Sequence, residues 1–287
     1  MFYIVTDTTA DLPKSFMEER NIGCLPLSYI LDGVTYGHGV DLEPQEFFGM
    51  MRQGKMPTTS QINPEEAYSY LSGLVATEKE ILVLPLSSGI SGTYNSFRIA
   101  AGDVMNEHPD CRIEVVDTLC ASLGDGMLIY RCAQMRDQGA SLDEVLDWIK
   151  NNQFHIVHVF TVDDLFHLMR GGRVSKTAAV LGTLVGIKPM LHMDNEGHLI
   201  NIDKVRGRKK SLHALVDYME LKRRNYKDYD DIVMISHGDC QEDAEYVRDL
   251  VKERFGINNF IINSLGPVIG AHTGPGLVAL FFMGESR

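Results

Sequence analysis

The residues best suited to chemistry lie in the turn PLSSGISGTYNS, residues 85–96, which follows an apolar run typical of a strand. Gly89 and Ser91 match part of the G-x-S-x-G turn of serine hydrolases, but Thr93 stands in place of its second glycine. The apolar residues after the turn recur at helical spacing and predict a helix that begins near Gly92. The turn therefore holds either an incomplete nucleophile motif or an anion site.

The anion interpretation depends on the start of that helix. The first backbone N–H groups of a helix lack intrahelical partners and carry the positive end of its dipole, so those near Gly92 can donate to a carboxylate or phosphate. Hydroxyl groups add further donors at Ser87, Ser88, Ser91 and Thr93. A purely structural role, in which Ser91 caps the helix, stays open at this point.

The elements around the turn predict an α/β fold with two domains. In the first half, four or five alternating strand–helix units imply a mostly parallel sheet with flanking helices. Later the pattern becomes that of an α+β domain, with an antiparallel pair around Asn195–Gly197. We expect an N-terminal α/β domain at 1–157 and a C-terminal α+β domain at 158–274. We also expect the final segment 275–287 to pack back on the N-terminal domain.

Three loops should meet at one edge of the predicted parallel sheet. Each follows a strand, and open α/β sheets bind ligands outside the carboxyl ends of their strands. The loops are TDTTAD at 6–11, SSGISGT at 87–93 and DTLCASLGDG at 117–126. The segment MPTTSQI at 56–62 is predicted to be a loop between two helices.

Composition narrows the classes of function. With 287 residues, 44% of them hydrophobic, the chain can bury a sizeable core, and no apolar run approaches the roughly 20 residues that span a bilayer. We therefore expect a cytoplasmic protein without an integral membrane segment. The net charge of −12 opposes nucleic acid binding. The sequence contains no zinc-binding motif, no nucleotide-binding motif and no cysteine pattern typical of disulfide bonds. We therefore expect no metal and no cofactor.

A basic segment stands out in this acidic chain. KVRGRKK, residues 204–210, carries five positive charges in seven residues. This segment predicts either a surface that docks an acidic partner or an ordinary solvent-exposed surface that binds no partner.

A serine hydrolase acting on acyl esters is the alternative function. Ser91, His272 and Asp7 supply the residue types of a catalytic triad. Any chain of this length offers such a trio, so the types alone do not establish catalysis.

Six motifs, in order and spacing, resemble the DegV family of bacterial fatty-acid-binding proteins, and the resemblance covers Tyr3 to Gly284. The motifs are TDTTADLP, TTSQINPEEA, SSGISGTYNSF, VDDLFHLMRGGRVSKTAAVLGTLVGIKPML, KVRGRKK and GPVIGAHTGPG. The resemblance implies two α/β domains with a long-chain fatty acid, such as palmitate or oleate, buried between them. The chain differs from the family's usual motifs at two positions. Gly207 stands where the family often has threonine, and Thr8 stands where it usually has serine.

The resemblance also implies residue roles and a partner. Several family members serve a fatty acid kinase, so it implies a carrier that presents the bound carboxylate for phosphorylation and is not itself an enzyme. The expected ligand-binding residues are Thr59, Ser91, Gly92 and His272. The contrast between the basic segment and the acidic chain, together with RGGR at 170–173, gives the expected partner-binding residues: Arg170, Arg173, Lys204, Arg206 and Arg208.

Overall fold

The structure is a computed structural model that describes residues 1–163, 165–175, 186–226 and 232–287. Its strands are β1 Tyr3–Asp7, β2 Ile22–Leu25, β3 Ser28–Leu31, β4 Val34–Tyr36, β5 Thr58–Ser60, β6 Glu80–Leu84, β7 Arg112–Val115, β8 Ile156–Thr161, β9 Ile187–Met193, β10 Leu199–Arg206, β11 Val233–His237, β12 Phe260–Ser264 and β13 Val278–Met283. Its α-helices are α1 Lys14–Glu19, α2 Pro44–Arg52, α3 Pro64–Leu74, α4 Thr93–Glu107, α5 Leu123–Asp137, α6 Leu142–Asn152, α7 Phe166–Arg170, α8 Arg208–Arg223, α9 Gln241–Phe255 and α10 Pro267–Thr273.

The first half of the chain forms a four-stranded parallel sheet in the order β2-β1-β6-β7. The central strands β1 and β6 are short apolar runs with almost every residue buried, as expected for a sheet covered on both faces. This confirms the predicted α/β class. A separate three-stranded sheet, β4-β3-β5, contains a hairpin that turns at Asp32-Gly33, where both residues have positive φ and the Asp-Gly pair favours such a turn.

The second half forms a six-stranded mixed sheet in the order β10-β9-β8-β13-β11-β12. Strand β8 begins at Ile156, two residues before the predicted start of the second domain. We expected 275–287 to pack back on the N-terminal domain, but β13 lies between β8 and β11 in this second sheet. Its sequence VALFFM is buried throughout, which suits a central strand and not a terminal segment laid on a surface. Strand β13 also packs against α5 of the first half, and Arg287 at the chain end donates to the carbonyl oxygen of Leu119 there at 2.6 Å.

Local sequence signals place most helix boundaries. Asn63 caps α3 in a complete capping box with Glu66, and Ser141 caps α6 in the same way with Glu144. Two expected loops are partly regular: β5 lies within MPTTSQI, and α5 already begins at Leu123 inside the third predicted loop. The apolar pattern that follows Gly171-Gly172 predicts a further helix, but residues 176–185 of that segment lie outside the described residues.

A buried carboxyl joins the two halves of the chain. Asp11, in the loop after β1, accepts hydrogen bonds from Gly266 N at 2.8 Å and from Ser122 Oγ at 2.6 Å. Its carbonyl oxygen also accepts from Asn263 Nδ2 at 2.8 Å. Burial, opposed by these hydrogen bonds and reinforced by the charge of Asp7, raises the pKa of Asp11 to about 7.

Replacing Asp11 by asparagine is expected to flatten the pH dependence of stability between about pH 4 and pH 7. In this range the unfolded chain has lost the Asp11 proton while the folded chain keeps it, so the free energy of unfolding falls as pH rises. One proton accounts for a slope of at most about 1.4 kcal/mol per pH unit. Asparagine keeps an acceptor for Gly266 and tolerates the positive φ of 53° at this position.

Urea unfolding across this pH range measures the effect, with Asp147→Asn on the exposed face of α6 as the matched control. Burial also raises the pKa values of Asp7 and Asp125, so some slope should remain in Asp11→Asn. Equal slopes for the wild type and Asp11→Asn would mean that Asp11 is ionised in the folded state, against this prediction.

Candidate ligand-binding site

A cavity of about 420 Å³ lies between the two halves of the chain. Leu86 contributes to its wall from the first half, and Phe160, Leu265, Ala279 and Phe281 contribute from the second. Its volume and mostly apolar lining are typical of a site for a small apolar ligand. The position agrees with the predicted ligand site between two domains.

Polar side chains gather in one part of the cavity wall. Thr59 and His272 both line the cavity, and Thr59 Oγ1 lies 2.7 Å from His272 Nε2. Ser91 and Gln61 also line it, and a Cβ at Gly92 would overlap the Gln61 amide. All four residues predicted to bind the ligand are thus brought to one polar cluster, which we call the head-group cluster: Thr59, Gln61, Ser91, Gly92 and His272.

Strand β5 and helix α4 position this cluster. Thr59 lies in the middle of β5, paired with Tyr29 of β3, and not in the loop expected from the sequence. Gly92 is the residue that precedes α4, a helix of 15 residues, and no side chain caps its first turn. The N-terminus of α4, with the positive end of its dipole, therefore lies beside the cluster, and of its first N–H groups that of Thr93 is bonded to Ser91 Oγ.

The hydroxyls of the predicted anion turn have different roles. Ser87 is buried and its hydroxyl donates to the Gly197 carbonyl oxygen at 3.0 Å, which ties the turn to the β9–β10 hairpin. Ser91 Oγ accepts from Thr93 N at 3.3 Å, so it assists the helix start without being the capping residue. Ser91 also lines the cavity, so its structural role and a ligand-binding role are compatible.

His272 is neutral near physiological pH. Burial, reinforced by the charges of Arg173 and Arg170, lowers the pKa of His272 to about 4. Its Nδ1 is buried without a hydrogen-bond partner among the described residues, and Gly171 packs against that ring edge. The cluster thus presents neutral donors and acceptors, with Arg170 and Arg173 as nearby cations.

Arg173 belongs to the cavity wall. Arg170 and Arg173 were expected to bind a partner, but Arg173 is half-buried, lines the cavity and donates to the Ile90 carbonyl oxygen at 2.8 and 3.0 Å. Arg170 remains exposed, while its guanidinium donates to the carbonyl oxygens of Pro57 at 2.8 Å and Ala271 at 3.1 Å. These bonds use main-chain acceptors on either side of the head-group cluster and hold β5, α7 and α10 together around it.

The basic segment 204–210 runs from an edge strand into a helix. Lys204 and Arg206 are exposed on β10, which pairs only with β9 in the six-stranded sheet. Arg208 is half-buried and forms an ion pair with Asp243 at 2.8 Å, so its charge is already matched within the protein. Exposed cationic charge therefore concentrates at Lys204 and Arg206, with further exposed lysines at 209 and 210.

A catalytic triad does not assemble from the predicted trio. His272 Nε2 contacts Thr59, and no hydrogen bond to Ser91 links it within the described ranges. Asp7 accepts from Thr9 and from Leu86 N, so it orients the first loop and not the histidine. The geometry therefore disfavours Ser91 as an activated nucleophile.

Several polar residues of the cavity wall were missed as site candidates, and two of them lie away from the head-group cluster. His158 on β8 and Ser122 just before α5 both line the cavity among apolar side chains. The sequence places His158 on one face of a strand, but only the pairing of β8 with β13 shows that this face turns toward the cavity. Across the described residues, no group of three or more His, Cys, Asp or Glu side chains could hold a metal ion, and no helix could span a membrane.

Comparison with known proteins identifies the family. The family model described as "Uncharacterised protein, DegV family" matches residues 1–285. A DegV domain-containing protein from Clostridium perfringens is 42% identical over 288 residues, which cover 100% of this chain and 98% of that protein. The chain belongs to the DegV family.

Solved DegV structures share the whole architecture. A DegV lipid-binding protein from Thermotoga maritima is 31% identical with a TM-score of 0.85, and the match covers 100% of both chains. A DegV family protein from Thermus thermophilus, described by its fatty acid binding, is 30% identical with a TM-score of 0.87 over 99% of each chain. These DegV structures are described as lipid- or fatty-acid-binding proteins and not as enzymes.

Proposed function

We propose that this DegV protein binds one long-chain fatty acid in the cavity and presents its carboxylate, at the head-group cluster, to a fatty acid kinase for acyl phosphate formation. The observation that carries the proposal is the apolar cavity of about 420 Å³ with hydroxyls and a helix N-terminus at one part of its wall. A cytoplasmic location remains part of this proposal. Saturable binding of a fluorescent fatty acid, displaced by palmitate, tests the binding step.

The acyl chain supplies most of the affinity. Burying about sixteen carbons at ~0.8 kcal/mol per methylene gives on the order of 12 kcal/mol before the costs of ordering the ligand. Hydrogen bonds to a charged carboxylate contribute roughly 1.5 to 3 kcal/mol each. The head-group cluster therefore fixes the direction and depth of the ligand more than its total affinity.

The contact between Thr59 and His272 suits a carboxylate ligand. When Nε2–H of the neutral His272 donates to Thr59 Oγ1, the hydroxyl proton of Thr59 is left to donate to the ligand. Ser91 and the N–H groups at the start of α4 add donors on the other side of the cluster. Because these donors are uncharged, the carboxylate keeps more of its nucleophilicity than it would in a close pair with arginine. That property favours a carrier whose ligand is phosphorylated while bound.

The exposed basic residues of β10 suit an acidic kinase surface. Lys204 and Arg206 are solvent-exposed cations in a chain with a net charge of −12, and complementary potentials speed the encounter of two proteins. Arg208 was also expected to dock the partner, but it contributes less to docking because Asp243 already pairs with its charge. We therefore assign docking chiefly to Lys204 and Arg206, with Arg170 as the exposed cation beside the head-group cluster.

Reversing Lys204 and Arg206 to glutamate is expected to lower the rate of acyl phosphate formation by an added fatty acid kinase about tenfold at low salt. The difference from the wild type should shrink as salt screens the charges, while fatty acid affinity stays the same. Lys14→Glu with Lys150→Glu, at exposed positions on α1 and α6, is the control for net charge. Equal slowing by both double variants would assign the effect to net charge and reject a docking role for β10.

A further inference from the structure

A second groove, of about 650 Å³, lies at the carboxyl ends of the parallel strands β11 and β12, and we call it the β11–β12 groove. None of its wall residues lines the fatty acid cavity. Helix α9 connects the two strands and begins at the groove, while Glu43 to Gln45 at the start of α2 form another part of its wall. The groove therefore lies where open α/β sheets bind ligands.

His237 is a buried polar residue in the wall of this groove. It is 8% exposed and ends β11, two residues after Ile235, which packs with Val247 of α9 in the apolar core. Its Nδ1 is buried without a hydrogen-bond partner. Nε2 has no partner in the described part of the chain either, but it is not buried. Nε2 is thus the ring nitrogen that a ligand in the groove can reach.

The imidazole of His237 is neutral near physiological pH. Burial lowers its pKa below the usual value, although the charges of Asp239 and Glu245 oppose this shift. A neutral imidazole has one N–H and one acceptor nitrogen, and Nδ1 lacks a partner in either tautomer. With the proton on Nδ1, Nε2 is free to accept a hydrogen bond from a ligand.

The groove also carries negative charge that the protein does not neutralise. Glu43 and Glu245 line it, and neither forms an ion pair among the described residues. The other charged residues of the wall already have partners of opposite charge: Asp239 pairs with Arg52, and Arg248 pairs with Asp249 at 2.8 Å. Two carboxylates, one at the start of α2 and one in α9, are therefore left for a cationic ligand.

The amides of the wall add further acceptors. Asn263 Nδ2 donates to the Asp11 carbonyl oxygen, and Gln241 Nε2 donates to Glu245 Oε1, both at 2.8 Å, so each amide oxygen is left to accept from a ligand. Across the described ranges, no three His, Cys, Asp or Glu side chains are placed to hold a metal ion. The wall thus suits an organic cation with several N–H donors.

We propose that the β11–β12 groove binds a small organic dication whose ammonium or guanidinium groups donate to the Glu43 and Glu245 carboxylates and to His237 Nε2. Two positive charges match the two unpaired carboxylates, and several N–H donors match the acceptors of the wall. The site is separate from the fatty acid cavity and does not depend on the proposed fatty acid function.

Isothermal titration calorimetry at low salt tests the proposal with agmatine and 1,4-diaminobutane, which are dications. Butylamine keeps one ammonium group, and tetramethylammonium keeps a charge but has no N–H donor. At least one dication should bind with a dissociation constant below about 1 mM and about tenfold more tightly than butylamine. Tetramethylammonium should show no saturable binding.

Substitutions in the wall should weaken binding of the dication. His237→Phe and Glu245→Gln should each lower its affinity about tenfold, and His237→Gln, which keeps an acceptor, should restore part of the loss. Glu253→Gln is the matched control, because Glu253 is exposed near the other end of α9 and does not line the groove. Its affinity should equal that of the wild type. Thermal unfolding checks the fold of each variant.

Three results would overturn the proposal. The first is the absence of saturable binding with both dications, and the second is tetramethylammonium binding as tightly as they do, which would indicate attraction by charge alone. The third is wild-type affinity in both His237→Phe and Glu245→Gln. Binding of a fluorescent fatty acid is measured on the same protein, so a failure at this groove is distinguished from a failure of the proposed function.

Discussion

Replacing Thr59 and Ser91 together by alanine is expected to weaken binding of a long-chain fatty acid by about two orders of magnitude without unfolding the protein. Both side chains line the cavity, Thr59 from β5 and Ser91 from the turn before α4, where their hydroxyls can donate to a carboxylate. Losing two such bonds, at roughly 1.5 kcal/mol or more each, gives an effect of this size. Displacement of a fluorescent fatty acid measures it, and thermal unfolding checks the fold.

A matched double variant separates the cluster from its surroundings. Thr58→Ala with Ser88→Ala removes two exposed hydroxyls from the same strand and the same turn, and neither residue lines the cavity. Its fatty acid affinity should equal that of the wild type. Wild-type affinity in Thr59→Ala with Ser91→Ala would show that the carboxylate is held elsewhere, and Arg173 would then be the next residue to test.

Filling the cavity by Ala279→Phe is expected to weaken binding of acids with sixteen or eighteen carbons by more than about 100-fold. Ala279 lies on β13, is 3% exposed and lines the cavity, so a phenyl group there takes space that the ligand needs. Displacing about four methylene groups, at ~0.8 kcal/mol each, costs about 3 kcal/mol of binding free energy. The head-group cluster is left unchanged.

Chain length provides the control for this variant. An acid of about ten carbons needs less of the cavity, so its affinity should fall far less than that of palmitate. Thermal unfolding should show a folded protein, because the new ring enters existing space and displaces no packed side chain. Equal losses for short and long acids would mean that Ala279→Phe disturbs the fold or the head group and does not shorten the site.

Local sequence patterns predicted the parts of the site that are formed by residues within one continuous segment. The small residues before the apolar stripe of α4 located the helix start at Gly92, because the 3.6-residue period and the turn are both visible within one segment. The strand–helix alternation predicted the parallel sheet, and the sheet brings its loops together: Ser87 N donates to Cys120 O, and Leu86 N donates to Asp7. Pairing Thr59 with Ser91 required the family resemblance, since they lie on separate elements.

Pairing between strands far apart in the sequence could not be predicted from local sequence patterns. The apolar run at β13 reads as a buried strand, but its place between β8 and β11 depends on partners more than 40 residues away. The same limit applies to β5, whose three residues are regular only because they pair with β3. Arg173 was expected at a partner surface because of its positive charge in an acidic chain, whereas its guanidinium is held at the cavity by the carbonyl oxygen of Ile90.

Native mass spectrometry of the purified protein, followed by organic extraction, tests the central claim most directly. We expect a mass increase that corresponds to one long-chain fatty acid for each chain, and the extraction should recover that fatty acid. Protein stripped of lipid should regain the same mass increase when palmitate or oleate is added. Protein that carries no lipid and takes up no fatty acid at micromolar concentration would contradict the account.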